Sequence, residues 1–562
     1  MRVIMVGHLL VVIAATILAY LNLMNADFLS LDDRYLIGAL QGRESNVLEW
    51  LLGGGGDYFR PLAFLSYTLD LNLFGPDPRW FHLVNLAIHL FNASLVYYLA
   101  SILSRGADHG NRIALVSSLF YALNPLNTEA VAWVSGRFDL LCGFFFLLAL
   151  IVVADRRVSA RNGSIALFLT LLCSLLSKEA SVGFALIFTA LLMVDPPERR
   201  SKRSVLLLAT AWLTTGLYLF LRTGLTARAD SGVVKVIGVS KPVTTIVFES
   251  FAACGFYLKK LFIPFPLNFA ITTINKPLYF GISVAVLLLF LCVFVRLRES
   301  RLPLLIVVIS LIPPVMALHG GLPWTPYAER YLYLPMVGMA LLVGTLCSRL
   351  PRTFFVLSFS FILLLAFPTM QRVGVWADSK AFWLDVMAKS PEFPRSYSGV
   401  AIELMSEKRY DEAEKLFEKT LSMGYEREFI WENLAKIHLA RKDMSAYEDA
   451  MCRAAELSPV PRSTTMYGAL TQTLMYYGST SDSKRDIYRR VVRYHIKAFE
   501  KDNNYSDGLY NAGKVAMLAG DQKNALRYFE MFLKQPGESM FKPFATRLIA
   551  KIEANPQMTG AK

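Results

Sequence analysis

Long apolar runs fill the first two thirds of this chain, and they restrict its fold more than any other feature. They cover residues 8–24, 81–103, 113–131, 138–154, 163–177, 180–194, 204–221, 279–295, 302–318, 331–347 and 353–369. Each approaches the ~20 residues a helix needs to cross ~30 Å of hydrocarbon. Within lipid no water is available for backbone amides and carbonyls, so such runs must close their hydrogen bonds internally, as helices. The chain is 54% hydrophobic over 562 residues, above the ~45–50% of a soluble domain, and the excess fades after residue 370. An all-α fold is therefore expected: a membrane domain of about eleven spans over 1–370, followed by a helical domain over 371–562.

Charge supports that division. The net charge of +14 is concentrated in short clusters between apolar runs: Arg105 to Arg112, Arg156-Arg157 to Arg161, Glu198 to Arg203, Arg296 to Arg301 and Arg349 to Arg352. Cytoplasmic loops carry such excesses. With the N-terminus inside, eleven spans place all five clusters in the cytoplasm. Loops 25–80, 132–137, 177–179, 222–278 and 319–330, and the C-terminal domain, then face the extracytoplasmic side. Residues 246–263 carry Glu249, Lys259 and Lys260 and end in Ile263-Pro264-Phe265-Pro266, and they are expected to re-enter or lie at the interface. No small-x-small cleavage site precedes Asp27, so the first run is expected to remain as a span. The basic charge is thus topological, and no nucleic-acid partner is expected. The six cysteines show neither a paired framework nor metal-ligand spacing.

From Trp376 onward the pattern is helical and repetitive. Tyr397, Ala401, Leu404, Ala413, Phe417 and Thr420 mark one helix-turn-helix unit. Trp431, Leu434, Ala435, Tyr447, Met451, Ala454 and Pro459 mark a second, and Leu509, Gly513, Ala516, Ala525 and Phe529 another. Residues 463–500 read as an irregular unit. The offsets match the 34-residue tetratricopeptide repeat, whose units stack into a solenoid with a concave binding face.

Candidate chemistry clusters in the expected extracytoplasmic loops. Asp32-Asp33 follows the first span, where paired carboxylates are costly beside lipid and suggest function. In the same loop, Val47 to Leu52 reads as an amphipathic piece, Gly53 to Gly56 as a flexible break, and Asp57-Tyr58-Phe59-Arg60-Pro61-Leu62 follows. His82, Asn85 and His89 share one helix face, as a substrate pocket or as a polar seam between helices. Arg60, Arg137, Lys178 and Arg330 recur at successive turns where the positive-inside rule predicts few cations. A lipid phosphate would account for them, and so would salt bridges to Glu129, Asp139, Glu179 and Glu329.

Asp32-Asp33, Phe59 to Leu62, His82 to Asn85, Asn124 to Asp139, Lys178-Glu179, Ala328 to Pro335 and the appended repeats occur in one order. Together they resemble the transmembrane-and-tetratricopeptide O-mannosyltransferases, including bacterial-type relatives. Glu129 to Arg137 is the most distinctive stretch. The chain departs from that pattern at Asn124 and Asn127, where relatives commonly show histidine, and its repeat array is short.

The resemblance implies a GT-C membrane glycosyltransferase that takes a sugar, such as mannose, from a polyprenyl-phosphate donor to a hydroxyl acceptor on the extracytoplasmic side. That side would be the periplasmic face of a bacterial inner membrane. It casts Asp32 or Asp33 as the base. Arg60, Lys178, Arg330 and Arg137 would hold the donor phosphate, and His82, Asn85, His89, Glu129, Glu329 and Tyr331 would line the substrate pocket. The repeats would engage a protein or peptide acceptor.

Adjacent acids can bind Mg²⁺ or Mn²⁺, with Asp32 and Asp33 as the ligands. Lys and Arg alone can serve a monophosphate leaving group, so no obligatory cofactor is expected. A lipid-linked oligosaccharide ligase and a non-catalytic repeat scaffold are alternatives with the same outline. The sugar, acceptor, lipid length and oligomeric state are not encoded in any motif here.

Overall fold

The computed structural model describes residues 2–41, 59–107, 109–194, 201–225, 241–320, 325–478 and 484–554. The expected piece Val47 to Leu52, the break Gly53 to Gly56, Asp57-Tyr58, and part of the Glu198 to Arg203 cluster lie outside the described residues. The chain divides into two compact units, Met1–Phe393 and Pro394–Lys562. The division therefore falls after residue 370. Helices Ala366–Ala377 and Ser379–Lys389 remain with the first unit because Trp376, Phe382 and Trp383 are buried in it, with Trp376 and Phe382 rings 4.7 Å apart.

Among the described residues the first unit is helical, and its one β element is an isolated bridge between Ile271 and Tyr327. Among the described residues, nine helices are long and apolar enough to cross a membrane: Val3–Asn25, Pro78–Leu103, Val134–Ala154, Ala160–Ser177, Lys202–Thr223, Lys276–Arg296, Arg298–His319, Glu329–Cys347 and Arg352–Ala377. They cover nine of the eleven expected runs.

The other two runs differ in form. Glu179–Val194 is a shorter apolar helix. Run 113–131 is not one span. Helix Gly110–Ala122 stops, Asn124 caps a 3-10 turn at Pro125–Asn127, and a short helix Thr128–Ala132 follows. Pro125 has no N–H to continue the ladder, and its ring disfavours helix in the preceding residue.

Residues 246–262 lie in one continuous helix, Val243–Phe262, and Ile263 follows it in extended conformation. The helix crosses Lys276–Arg296 so closely at Gly255 that a Cβ there would overlap the Tyr279 carbonyl, the close approach that small residues allow between membrane helices.

The second unit is a row of helix pairs: Pro394–Ser406 with Tyr410–Ser422, Glu428–Ala440 with Met444–Leu457, Val460–Gly478 with Lys484–Lys501, and Asp507–Leu518 with Gln522–Leu533. Lys542–Glu553 closes it. The predicted small and large positions form its core: Ala401, Ala413, Phe417, Ala435, Ala454, Leu509, Ala525 and Phe529 are all buried. The tight turns share one geometry. Lys408 and Lys442, 34 residues apart, both take positive φ, at 61° and 64°, and Gly520 takes that place in the last full pair, at 79°. The irregular unit consists of the two longest helices, of 19 and 18 residues.

Candidate active site

The site is built on the irregular segment Leu123–Gly136. Its short helical pieces leave the backbone hydrogen-bond ladder broken, and buried side chains reach in to add partners for its carbonyls. One face of helix Pro78–Leu103 does this. Asn85 Nδ2 donates to the carbonyls of Val131, Trp133 and Val134 at 3.4, 3.0 and 3.4 Å. His89 Nε2 lies 3.2 Å from the Ala122 carbonyl, and its Nδ1 lies 2.9 Å from the Tyr333 hydroxyl. Asn92 Nδ2 donates to the Leu140 carbonyl at 3.0 Å. His82 Nε2 is 3.4 Å from the Asp27 carbonyl.

All four residues are fully buried. The predicted shared face is real, but for Asn85 and His89 the contacts are those of a polar spine bracing the segment. Asn92 belongs to that spine and was not anticipated, although it continues the same helical spacing.

Arg137 belongs to the same brace. Its guanidinium is fully buried and donates to Asn85 Oδ1 at 2.8 Å, Asp70 Oδ2 at 2.5 Å and the Phe81 carbonyl at 3.0 Å, and it stacks over Tyr67 at 4.6 Å. These bonds hold the Arg137 guanidinium against helix Pro78–Leu103 and Asp70. Its partner Asp70 was not anticipated.

The two adjacent acids differ in burial and contacts. Asp33 is fully buried at the start of helix Asp33–Gln41. Its Oδ1 accepts from the Ser135 N–H at 3.1 Å and the Ser135 hydroxyl at 2.9 Å, and its Oδ2 accepts from the Leu29 N–H at 3.3 Å. Burial pushes its carboxyl up to about 7, against those hydrogen bonds. Asp33 therefore pins the first loop to the 133–136 turn. Gly136 is needed in that turn, because a Cβ would overlap the Ala130 carbonyl. Asp32 is half-buried beside it.

Three of the four predicted cations come together. Arg60 binds Glu179 bidentately, Nε to Oε2 at 3.2 Å and Nη2 to Oε1 at 2.7 Å. Lys178 Nζ is 2.6 Å from Asp139 Oδ1. Arg330 Nη1 is 2.6 Å from Glu129 Oε1, and its backbone N–H donates to Glu129 Oε2 at 3.2 Å. Tyr331 is common ground: Lys178 lies 5.4 Å and Arg330 4.9 Å from its ring centroid. Burial lowers the Lys178 ammonium below its ordinary range. Asp139 acts against that shift, and the neighbouring Arg60 and Arg330 add to it. Arg60 and Arg330 thus flank Lys178.

The salt bridges read as an alternative from sequence are present, but they join different loops. Glu329 pairs instead with Lys260 at 2.7 Å and accepts from the Asn268 N–H at 2.9 Å, an attachment that no sequence signal indicated. Among the described residues no three or more His, Cys, Asp or Glu gather as metal ligands.

No family model matches the chain. It is 32% identical over 191 residues to Protein O-mannosyl-transferase tmtc2 of Xenopus laevis, covering 30% of this chain and 22% of that protein. It is 24% identical over 421 residues to Protein O-mannosyl-transferase F38B6.6 of Caenorhabditis elegans, covering 69% of this chain and 58% of that protein. The matched regions thus span less than two thirds of either relative.

Among solved structures, ArnT from Cupriavidus metallidurans bound to undecaprenyl phosphate aligns with a TM-score of 0.38 and 15% identity, over 74% of this chain and 75% of that one. YrrB, a TPR protein with an unusual peptide-binding site, aligns with a TM-score of 0.22 and 19% identity, over 30% and 82%. By sequence, the chain is similar to the transmembrane-and-tetratricopeptide protein O-mannosyltransferases.

Proposed function

We propose that the protein is a GT-C-type membrane glycosyltransferase that moves a hexose, mannose by analogy with its relatives, from a polyprenyl-phosphate donor to a hydroxyl of a protein acceptor on the extracytoplasmic face. The observation that carries this reading is the convergence, on loops distant in sequence, of an anchored acidic pair and three cations. Asp33 is held by Ser135. Two residues on, Arg137 stacks over Tyr67, and Asp33 and Arg60 both act electrostatically on the Tyr67 hydroxyl. Arg60 leads to Lys178, and Lys178 to Arg330.

In this reading Asp32 is the base and Asp33 is its positioning residue. Asp33 is fully buried, with its oxygens accepting from Ser135 and the Leu29 N–H, whereas Asp32 is half-buried and so partly open to a substrate. The acceptor oxygen attacks the anomeric carbon and gives its proton to Asp32. The bond between that carbon and the phosphate oxygen breaks with inversion, and polyprenyl phosphate leaves with the electron pair. Fixed cations stabilise the charge that grows on the phosphate, the role given to Arg60, Lys178 and Arg330. No metal is required for that step.

The test is sugar transfer by full-length protein in nanodiscs, from polyprenyl-phosphate mannose to a serine/threonine peptide. Asp32→Asn is expected to cut turnover by about 10²–10⁴-fold with its melting temperature retained. Wild-type turnover in Asp32→Asn and in the Asp32→Asn/Asp33→Asn double variant would overturn the reading. Transfer from an oligosaccharide pyrophosphate donor alone would favour a ligase.

A further inference from the structure

The three ion pairs of the site are not equally enclosed. The side chains of Asp139 and Glu129 are 7% and 1% exposed, but that of Glu179 is 34% exposed. Glu179 stands on the 3-10 turn Glu179–Gly183, directly after the helix break at Lys178. Besides filling the Arg60 fork, its Oε2 lies 3.5 Å from Arg222 Nη1. Arg222 also donates to the Tyr218 hydroxyl at 2.9 Å.

Arg222 sits in the last turn of helix Lys202–Leu225. Leu219, three residues before Arg222 and on a neighbouring part of the helix surface, is 39% exposed, whereas the barest side chains, Leu213 and Phe220 at 74% and 71%, lie on the opposite face. An arginine fork that grips a carboxylate through two parallel N–H groups grips a phosphate in the same way.

We propose that Glu179 is a placeholder, displaced from Arg60 and Arg222 by the phosphate of a polyprenyl-linked ligand, and that Arg222 is a further phosphate-binding residue. The proposal rests on the glycosyltransferase reading and deepens it. Before the lipid arrives, Glu179 holds the two guanidinium groups in place. When the headgroup enters, phosphate oxygens accept from the Nε–H and Nη–H groups in place of the Glu179 oxygens, and the partly exposed carboxylate swings away on its turn.

The test is equilibrium binding to full-length protein in nanodiscs with two probes, undecaprenyl phosphate and inorganic phosphate. Glu179→Gln keeps the side-chain shape but removes the competing charge. It is expected to bind undecaprenyl phosphate about tenfold more tightly than wild type, and Arg222→Gln about tenfold more weakly, the scale of one charge-assisted hydrogen bond. Arg222→Lys should restore part of the loss.

If wild type binds the lipid but Glu179→Gln, with an unchanged melting temperature, binds no better, the placeholder is wrong while the glycosyltransferase reading survives. Should Glu179→Gln not fold, unchanged affinity in Arg222→Gln overturns the assignment of Arg222. Inorganic phosphate binding as tightly as the lipid rejects the lipid source. Wild type that does not bind undecaprenyl phosphate removes the glycosyltransferase reading itself.

Discussion

A carboxyl group withdrawn from water is the most telling single residue. Asp33 titrates at about 7 in the folded chain, against an ordinary 3.8. Between those values the folded state holds a proton that the unfolded chain releases. Stability should therefore fall as pH rises from about 4 to about 7 and level off above it. Asp33→Asn removes that slope, which melting temperatures across this range will show. Asp33→Asn should also lower sugar transfer less than Asp32→Asn, because an amide oxygen can still accept from Ser135. Lys178→Ala should cost about 3–5 kcal/mol, since it leaves the Asp139 carboxylate buried without its partner. The melting temperature checks this, and any further loss of donor binding beyond that of an equally destabilised control reports its role at the phosphate.

At the level of elements, the Leu123–Gly136 segment explains most of the site's architecture. Asn85→Leu keeps the branched side-chain outline but removes the amide contacts to the Val131, Trp133 and Val134 carbonyls and the acceptor of the Arg137 Nε–H. A loss of at least about 3 kcal/mol is expected, with early proteolysis near Trp133 as a second readout. In the repeats, Gly513 faces the Phe529 ring, where a Cβ would approach to 2.6 Å. Gly513→Val should cost about 1–3 kcal/mol through overpacking, measured by unfolding of the full chain.

These elements also show what could be read without coordinates. The repeats were legible because each contact lies within one 34-residue period, so that Ala401 and Ala435, or Phe417 and Met451, announce themselves by offset. The polar face of helix Pro78–Leu103 was legible as a face, but its task was not. The groups it satisfies are main-chain carbonyls, which leave no mark in side-chain spacing. The break in run 113–131 was in principle visible at Asn124-Pro125, where apolar content outweighed the proline.

For the whole molecule, charge pattern and apolar length imply a topology that a reporter can test. A phosphatase fused after Lys562 is expected to be active, placing the repeats on the side of Asp32 and Asp33. A cytoplasmic readout would mean that helix Val243–Phe262 spans or that another of the short helices changes the parity. Donor and acceptor would then meet on one side of the membrane only if the repeats had no part in acceptor capture.

The sequence by itself determined the all-helical class, the membrane and repeat parts, the repeat register, and the order of loops carrying acids and bases. These follow from local physics: apolar length, helical periodicity and clusters of charge. Only the tertiary structure decided who pairs with whom. Arg60 meets Glu179 across 119 residues, Arg330 meets Glu129 across 201, and Asp33 meets Ser135 across 102. It separated buried Asp33 from half-buried Asp32, turned Arg137 into a brace, and brought Arg222 to the site from a helix that carries no motif. Such choices depend on which helix ends share space after packing, and desolvation there assigns each charge its partner.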